Sequence, residues 1–137
     1  MIPLQKYMTL RLFAPHKTKI RLEFYPVNPH TTNPLWDDWH SYPIILQIYL
    51  EDAETLLLPY FKRIFPCQDP YHQETQHTFD FCSFNWIHKT DWEILIQHIQ
   101  NDMPKQTRVN RHFYTLFLIW LSKALQYTDV IMVEGNL

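Results

Sequence analysis

The chain predicts one α+β domain over residues 1–137: a mainly antiparallel sheet of about five strands, with three helices packed mostly on one face. Three observations predict it. Apolar and polar residues alternate over residues 8–12, 20–24 and 44–50, the period of half-buried strands. Val109, Phe113, Leu116, Phe117, Trp120, Leu121 and Ala124 recur at helical spacing. Residues 129–134, apolar throughout their centre at 130–133, then read as a strand buried on both faces and ended by Gly135, the single glycine. With 137 residues, 46% of them hydrophobic, the chain can bury a core without staples.

Taken in order, Met8, Leu10 and Leu12 make a first strand, and Ile20, Leu22 and Phe24 a second. Residues 14–18 have the length of a hairpin loop between them. Residues 26–43 carry four prolines and should run irregularly over the surface. A third strand follows at residues 44–51. Asp52 is placed to cap a helix that buries Ala53, Leu56, Leu57, Tyr60, Phe61 and Ile64. Pro59 should kink that helix, and Pro66 should end it. Residues 67–78 have no apolar period and read as a loop. Residues 78–86 read as a strand whose alternation slips between Phe81 and Phe84, as at a bulge. Thr90-Asp91-Trp92-Glu93 has the form of a capping box, opening a helix over Trp92, Leu95, Ile96, Ile99 and Met103 that Pro104 stops. The last helix, over residues 109–124, is apolar on nearly every side, which predicts a central packing helix. Its apolar run is shorter than the roughly 20 residues a bilayer requires.

Charge is unevenly spread. Residues 1–22 hold five basic groups and no acid, whereas residues 23–80 hold nine acids against Lys62 and Arg63. An acidic middle suits a basic protein partner better than nucleic acid. The opening residues lack the apolar core and small-residue cleavage site of a secretory signal, and Cys67 and Cys82 are the only thiols. Together these predict a cytoplasmic chain with reduced cysteines and no membrane span.

A single glycine excludes glycine-rich phosphate loops and dinucleotide fingerprints, and no serine stands in a nucleophile elbow. Cys67, His72, His77 and Cys82 are spaced five apart, so two thiolates and two imidazoles could in principle close a zinc site, although the tight cysteine pair of zinc ribbons is missing. His40 beside Asp37 and Asp38, or His88 beside Asp91, could form acid–base pairs. With eight histidines in the chain such neighbours arise by chance, and the reading is of a non-enzyme without cofactor. The stronger candidates are binding residues. Trp36, Asp37, Asp38 and Trp39 put two tryptophans around two carboxylates on the irregular stretch; Glu51, Asp52 and Glu54 make a second acidic patch. Tryptophan is enriched in binding hot spots, and paired acids suit arginine or lysine.

Phe79-Asp80-Phe81-Cys82-Ser83-Phe84-Asn85-Trp86-Ile87 followed by Lys89-Thr90-Asp91-Trp92 resembles a strand-to-helix junction of small bacterial immunity proteins. So does Phe117-Leu118-Ile119-Trp120-Leu121 with Ala124-Leu125, Asp129 and Val133-Glu134-Gly135-Asn136. These immunity proteins belong to contact-dependent growth inhibition and related polymorphic toxin systems. The resemblance covers roughly the C-terminal two-fifths of the chain and brings no catalytic motif. It implies a cytoplasmic protein that binds one cognate toxin domain, often a nuclease, in a 1:1 complex and blocks it without chemistry. Two other classes compete: a nucleic-acid-binding module using the basic N-terminal hairpin, and a zinc-stabilised adaptor.

Overall fold

The structure, a computed structural model, describes residues 6–34 and 39–136. It is α+β, with a five-stranded mixed sheet, a separate two-stranded ladder and three helices. The strands are β1 (Lys6–Leu10), β2 (Arg21–Pro26), β3 (Ile44–Tyr49), β4 (Cys67–Gln68), β5 (Thr75–Gln76), β6 (Phe84–His88) and β7 (Val130–Gly135). Helix α1 runs through Leu50–Asp52, a π-helical stretch Ala53–Leu57 and Leu58–Ile64; α2 is Lys89–Asp102 and α3 is Arg108–Tyr127. The main sheet has the order β1-β3-β2-β7-β6, and only β1 and β3 run parallel.

That order replaces the expected hairpin. β3 lies between β1 and β2, so the segment joining them must cross the end of β3. Asp52 holds it there: its fully buried carboxylate accepts the backbone N–H groups of Leu12 at 2.8 Å and Phe13 at 2.6 Å. Arg11 adds to the crossing, with its guanidinium 4.1 Å over the Tyr49 ring and donating to the carbonyls of Ala14 and Pro15. Asp52 is therefore a clamp rather than a helix cap, and α1 starts earlier, at Leu50. The π-helical stretch sits just before Pro59, which has no N–H to offer the preceding turn, so the backbone widens there.

Alternation along the strands assigns two faces. Leu22, Phe24, Leu46, Ile48, Ile87, Ile131 and Val133 point into the core with all three helices. Tyr25, Val27, Ile45, Trp86, Val130 and Met132 form a smaller cluster on the other face, to which no helix contributes. On the helix side the buried Phe24 ring meets Trp92 at 6.2 Å, Phe117 at 5.8 Å and Trp120 at 6.2 Å between centroids. The indoles also dock the helices onto strand carbonyls. Trp92 Nε1 donates to Ile87 at 3.1 Å and Ile131 at 3.4 Å, and Trp120 Nε1 to Ile44 at 3.2 Å.

Other expectations shift for local reasons. α3 is not buried all round: Val109 and Ile119 are 53% and 60% exposed, and only the face from Phe113 to Leu125 packs. α2 is capped by His88, whose ring Nδ1 accepts the Thr90 N–H at 3.1 Å, not by Thr90. The expected strand over residues 78–86 begins only at Phe84. Buried Asn85 pulls the preceding residues into a turn, accepting from Asp80 N–H at 2.8 Å and donating to the carbonyls of Asp80 at 2.7 Å and Val133 at 2.9 Å. The expected loop over residues 67–78 carries the β4–β5 ladder, turned through Gln73 at φ 54°.

Gly135 does more than end a strand. A Cβ there would stand 1.8 Å from the carbonyl oxygen of Phe81, so the Asn85 turn packs directly on bare backbone. Gly135→Ala is expected to lose about 1–3 kcal/mol in urea unfolding, the cost of overpacking against a backbone atom. Asp52→Ala should cost about 2–4 kcal/mol by the same measurement, because two amide donors lose a charged acceptor.

Candidate functional site

Of the first predicted patch, Trp36, Asp37 and Asp38 lie outside the described residues, as does the proposed pairing of His40 with those acids. Trp39 packs on the helix-free face, its ring 5.6 Å from Tyr25, 5.4 Å from Trp86 and 3.4 Å from His40 between centroids. The Asn28 N–H, donating to the Trp39 carbonyl at 3.0 Å, and a bridge between Val27 and His40 bring the loop back onto the sheet there.

The second patch does not form a three-carboxylate surface. Asp52 is buried in its clamp, and Glu51 Oε1 accepts from Thr18 Oγ1 at 2.9 Å. Only Glu54 is exposed, and it belongs to α1, on the helix side of the sheet. The four-residue zinc spacing does not converge either. Cys67 is buried and donates to the Ile64 carbonyl at 3.3 Å, while burial, with Asp91 nearby, pushes its thiol up to about 12. His72 Nδ1 pairs with Asp69 Oδ2 at 2.9 Å, and Cys82 is exposed. Among the described residues no three His, Cys, Asp or Glu side chains gather as a metal-ligand set. His88 is engaged in capping α2.

The basic hairpin loses its structural basis too, because β1 and β2 are not neighbours. Two of its cations serve the chain itself: Arg11 anchors the crossing, and Arg21 Nε bonds Glu23 Oε1 at 2.9 Å.

A different surface emerges on the helix-free face. The register aligns Thr9 with Gln47, Gln47 with Glu23, Glu23 with Glu134, and Glu134 with Phe84, in one row across the sheet. Beside it lies an aromatic tier containing Tyr7, Tyr25 and Trp86, in which Tyr25 stands opposite Met132 and Met132 opposite Trp86. Tyr7 and Phe84 are 54% and 47% exposed.

Glu23 is satisfied internally, by Arg21 and by the Tyr25 hydroxyl, which donates to Oε2. Burial and the Glu23 charge raise the Tyr25 phenol far above its ordinary value. Among the described residues Glu134 has no cation within ion-pair distance. Burial first, and then the charge of Glu23, raise its carboxyl above the ordinary glutamate range.

Two clefts open beside the row and meet at Ser83 and Phe84. One, of about 210 Å³, lies between Cys82, Phe84 and Glu134. The other, of about 390 Å³, is lined by Asp69, Glu74 and Trp86 among others. Among the described residues no lysine or arginine lines either cleft, and His72, paired with Asp69, lines the larger one. The surface is thus acidic, aromatic and partly concave, suited to a cationic protein group rather than to phosphate. Sequence reasoning missed Glu23 and Glu134 because each sits in the polar phase of an ordinary strand. Only the β2–β7 register, between opposite ends of the chain, places them face to face.

Compared with known proteins, the chain matches no family model, no curated protein and no solved structure. Fold and surface together define a small α+β domain with one helix-free, acidic sheet face.

A carboxyl whose folded pKa is raised holds its proton more tightly in the native state. Its favourable contribution is complete below the unfolded pKa and is lost as pH rises through the folded value. Glu134→Gln should therefore stabilise the chain at pH 7 by roughly 0.2–1 kcal/mol, the scale of a like-charge cross-strand pair. In urea titrations across pH the gain should vanish below the ordinary glutamate pKa of about 4.3. A gain that persists in acid would mean that repulsion from Glu23 is not its source.

Proposed function

We propose that this chain is a cytoplasmic immunity protein that binds one cognate toxin domain, a nuclease with a basic surface, in a non-covalent 1:1 complex. The observation that supports it most is the helix-free sheet face, where the exposed Phe84 ring stands beside the Glu134 carboxylate and, among the described residues, no lysine or arginine lines the clefts. Nucleases bind polyanions and carry basic surfaces around their active sites, so a carboxylate-bearing inhibitor can take the place of nucleic acid phosphates. Exposed aromatics beside the acids supply the apolar contact area that a charged surface alone lacks. Inhibition then needs no catalytic group on this chain, only a surface whose shape and charge occlude the toxin. Among the described residues no helix is long and apolar enough to cross a membrane.

The chain used as bait in its native cells is expected to retain the C-terminal domain of a large secreted protein encoded beside it. That domain should cleave nucleic acid alone, stop cleaving when mixed with the chain at 1:1, and cease to arrest growth when the two are co-expressed. A neighbouring toxin domain left fully active by excess chain would overturn the proposal.

A further inference from the structure

Glu134 stands at the centre of an arrangement that the fold itself does not use. Its carboxylate faces Glu23 directly across β2 and β7, in a register where like charges destabilise a sheet. Arg21, two residues before Glu23 on β2, is committed to Glu23, bonding its Oε1 at 2.9 Å. On the other flank, in the same row, is Phe84, nearly half exposed and 6.0 Å from the Trp86 ring between centroids. Adjacent strands lie about 4.8 Å apart, so a group bound at Glu134 also reaches the Phe84 ring and the Glu23 carboxylate.

We infer that this sheet face docks a basic protein surface by receiving one of its arginine side chains on the Glu23–Glu134–Phe84 strip. The planar guanidinium would bond the Glu134 carboxylate with two parallel N–H groups while its face lies on the Phe84 ring. Both contacts favour arginine over lysine. The ammonium of lysine is compact and strongly hydrated, and cannot engage a carboxylate through a rigid fork and a ring through a plane at once. Charge complementarity selects this occupant: of the strip's two carboxylates Glu23 is paired with Arg21 and Glu134 is not, and the larger cleft adds Glu74 beside the Asp69–His72 pair, with no lysine or arginine among the described residues lining either cleft. A bound arginine would also relieve the repulsion between Glu23 and Glu134. The inference rests on the proposal that this chain binds a basic toxin, and specifies where and by which side chain.

The test uses the whole chain, labelled with ¹³C and ¹⁵N, titrated with the blocked tripeptide acetyl-Gly-Arg-Gly-amide and with its lysine counterpart. The arginine peptide is expected to shift the Glu134 carboxyl and Phe84 ring signals saturably, and the lysine peptide to bind at least about fivefold more weakly. Glu134→Gln, which should fold at least as stably as the parent, is expected to abolish the response, and Glu54→Gln, on the helix side, to leave it unchanged. Equal shifts with both peptides, shifts centred elsewhere, an unchanged response in Glu134→Gln, or no response at all would overturn the inference. The two proposals can fail separately. A toxin domain that binds Glu134→Gln as tightly as the parent removes the strip but keeps the inhibitor. An arginine-specific strip on a chain that leaves the neighbouring toxin active removes the inhibitor but keeps the strip.

Discussion

The structure depends on how the Phe24 ring is held. It lies on the helix side of β2, the middle strand of the main sheet, and Trp92, Phe117 and Trp120 close on it from α2 and α3. Burying side chains of this size is worth about 1.5–3 kcal/mol each, and well-oriented aromatic pairs add roughly 0.5–1.5 kcal/mol. Burial alone would allow the helices to slide. The two indole N–H groups remove that freedom, because each must find a strand carbonyl once it is taken from water. Trp92 reaches β6 and β7, and Trp120 reaches the start of β3, so the helix layer is registered on the sheet at both ends. All three helices lie on this side, and the opposite side of the sheet is left to loops and side chains.

That asymmetry gives the helix-free face its character. A sheet covered on one side normally shows a polar outer face, and here the outer face is partly aromatic. Trp39 and Tyr71 cover part of it by packing on Trp86. The row beside this cluster keeps its carboxylates, although Glu23 against Glu134 weakens the sheet at neutral pH. Local costs of this kind are characteristic of positions that the fold does not itself require.

Fold class, the number of helices and the main strands were legible in the sequence, because they rest on periodicity. Phe24 and Ile48 reveal their faces through the polar residues Glu23 and Gln47 beside them. Connectivity was not legible. Whether residues 6–10 pair with residues 21–26 or with residues 44–49 turns on the buried carboxylate of Asp52, which in sequence looks like any acid at a helix start. The strand expected over residues 78–86 failed for a similar reason: nothing in that run shows that Asn85 is buried and builds a turn. The candidate site was less visible still. Clusters of consecutive charges drew attention to Glu51, Asp52 and Glu54, whereas Glu23 and Glu134 meet only through pairing of distant segments.

The place of β7 in the sheet has a consequence for how the chain acquires its structure. In sequence it follows every other strand, yet it lies between β2 and β6 and supplies the only pairing that β6 has in the main sheet. Until Val130–Gly135 is available, β6 cannot join the sheet, and the turn centred on Asn85 lacks both its Val133 acceptor and the bare backbone of Gly135. Phe84–His88 and its turn therefore depend on Val130–Gly135, a pairing between segments far apart in sequence of the kind that slows folding. Inserting β7 joins β6 to the three strands already paired through β3, so the helix-covered core and the helix-free face are completed in the same event.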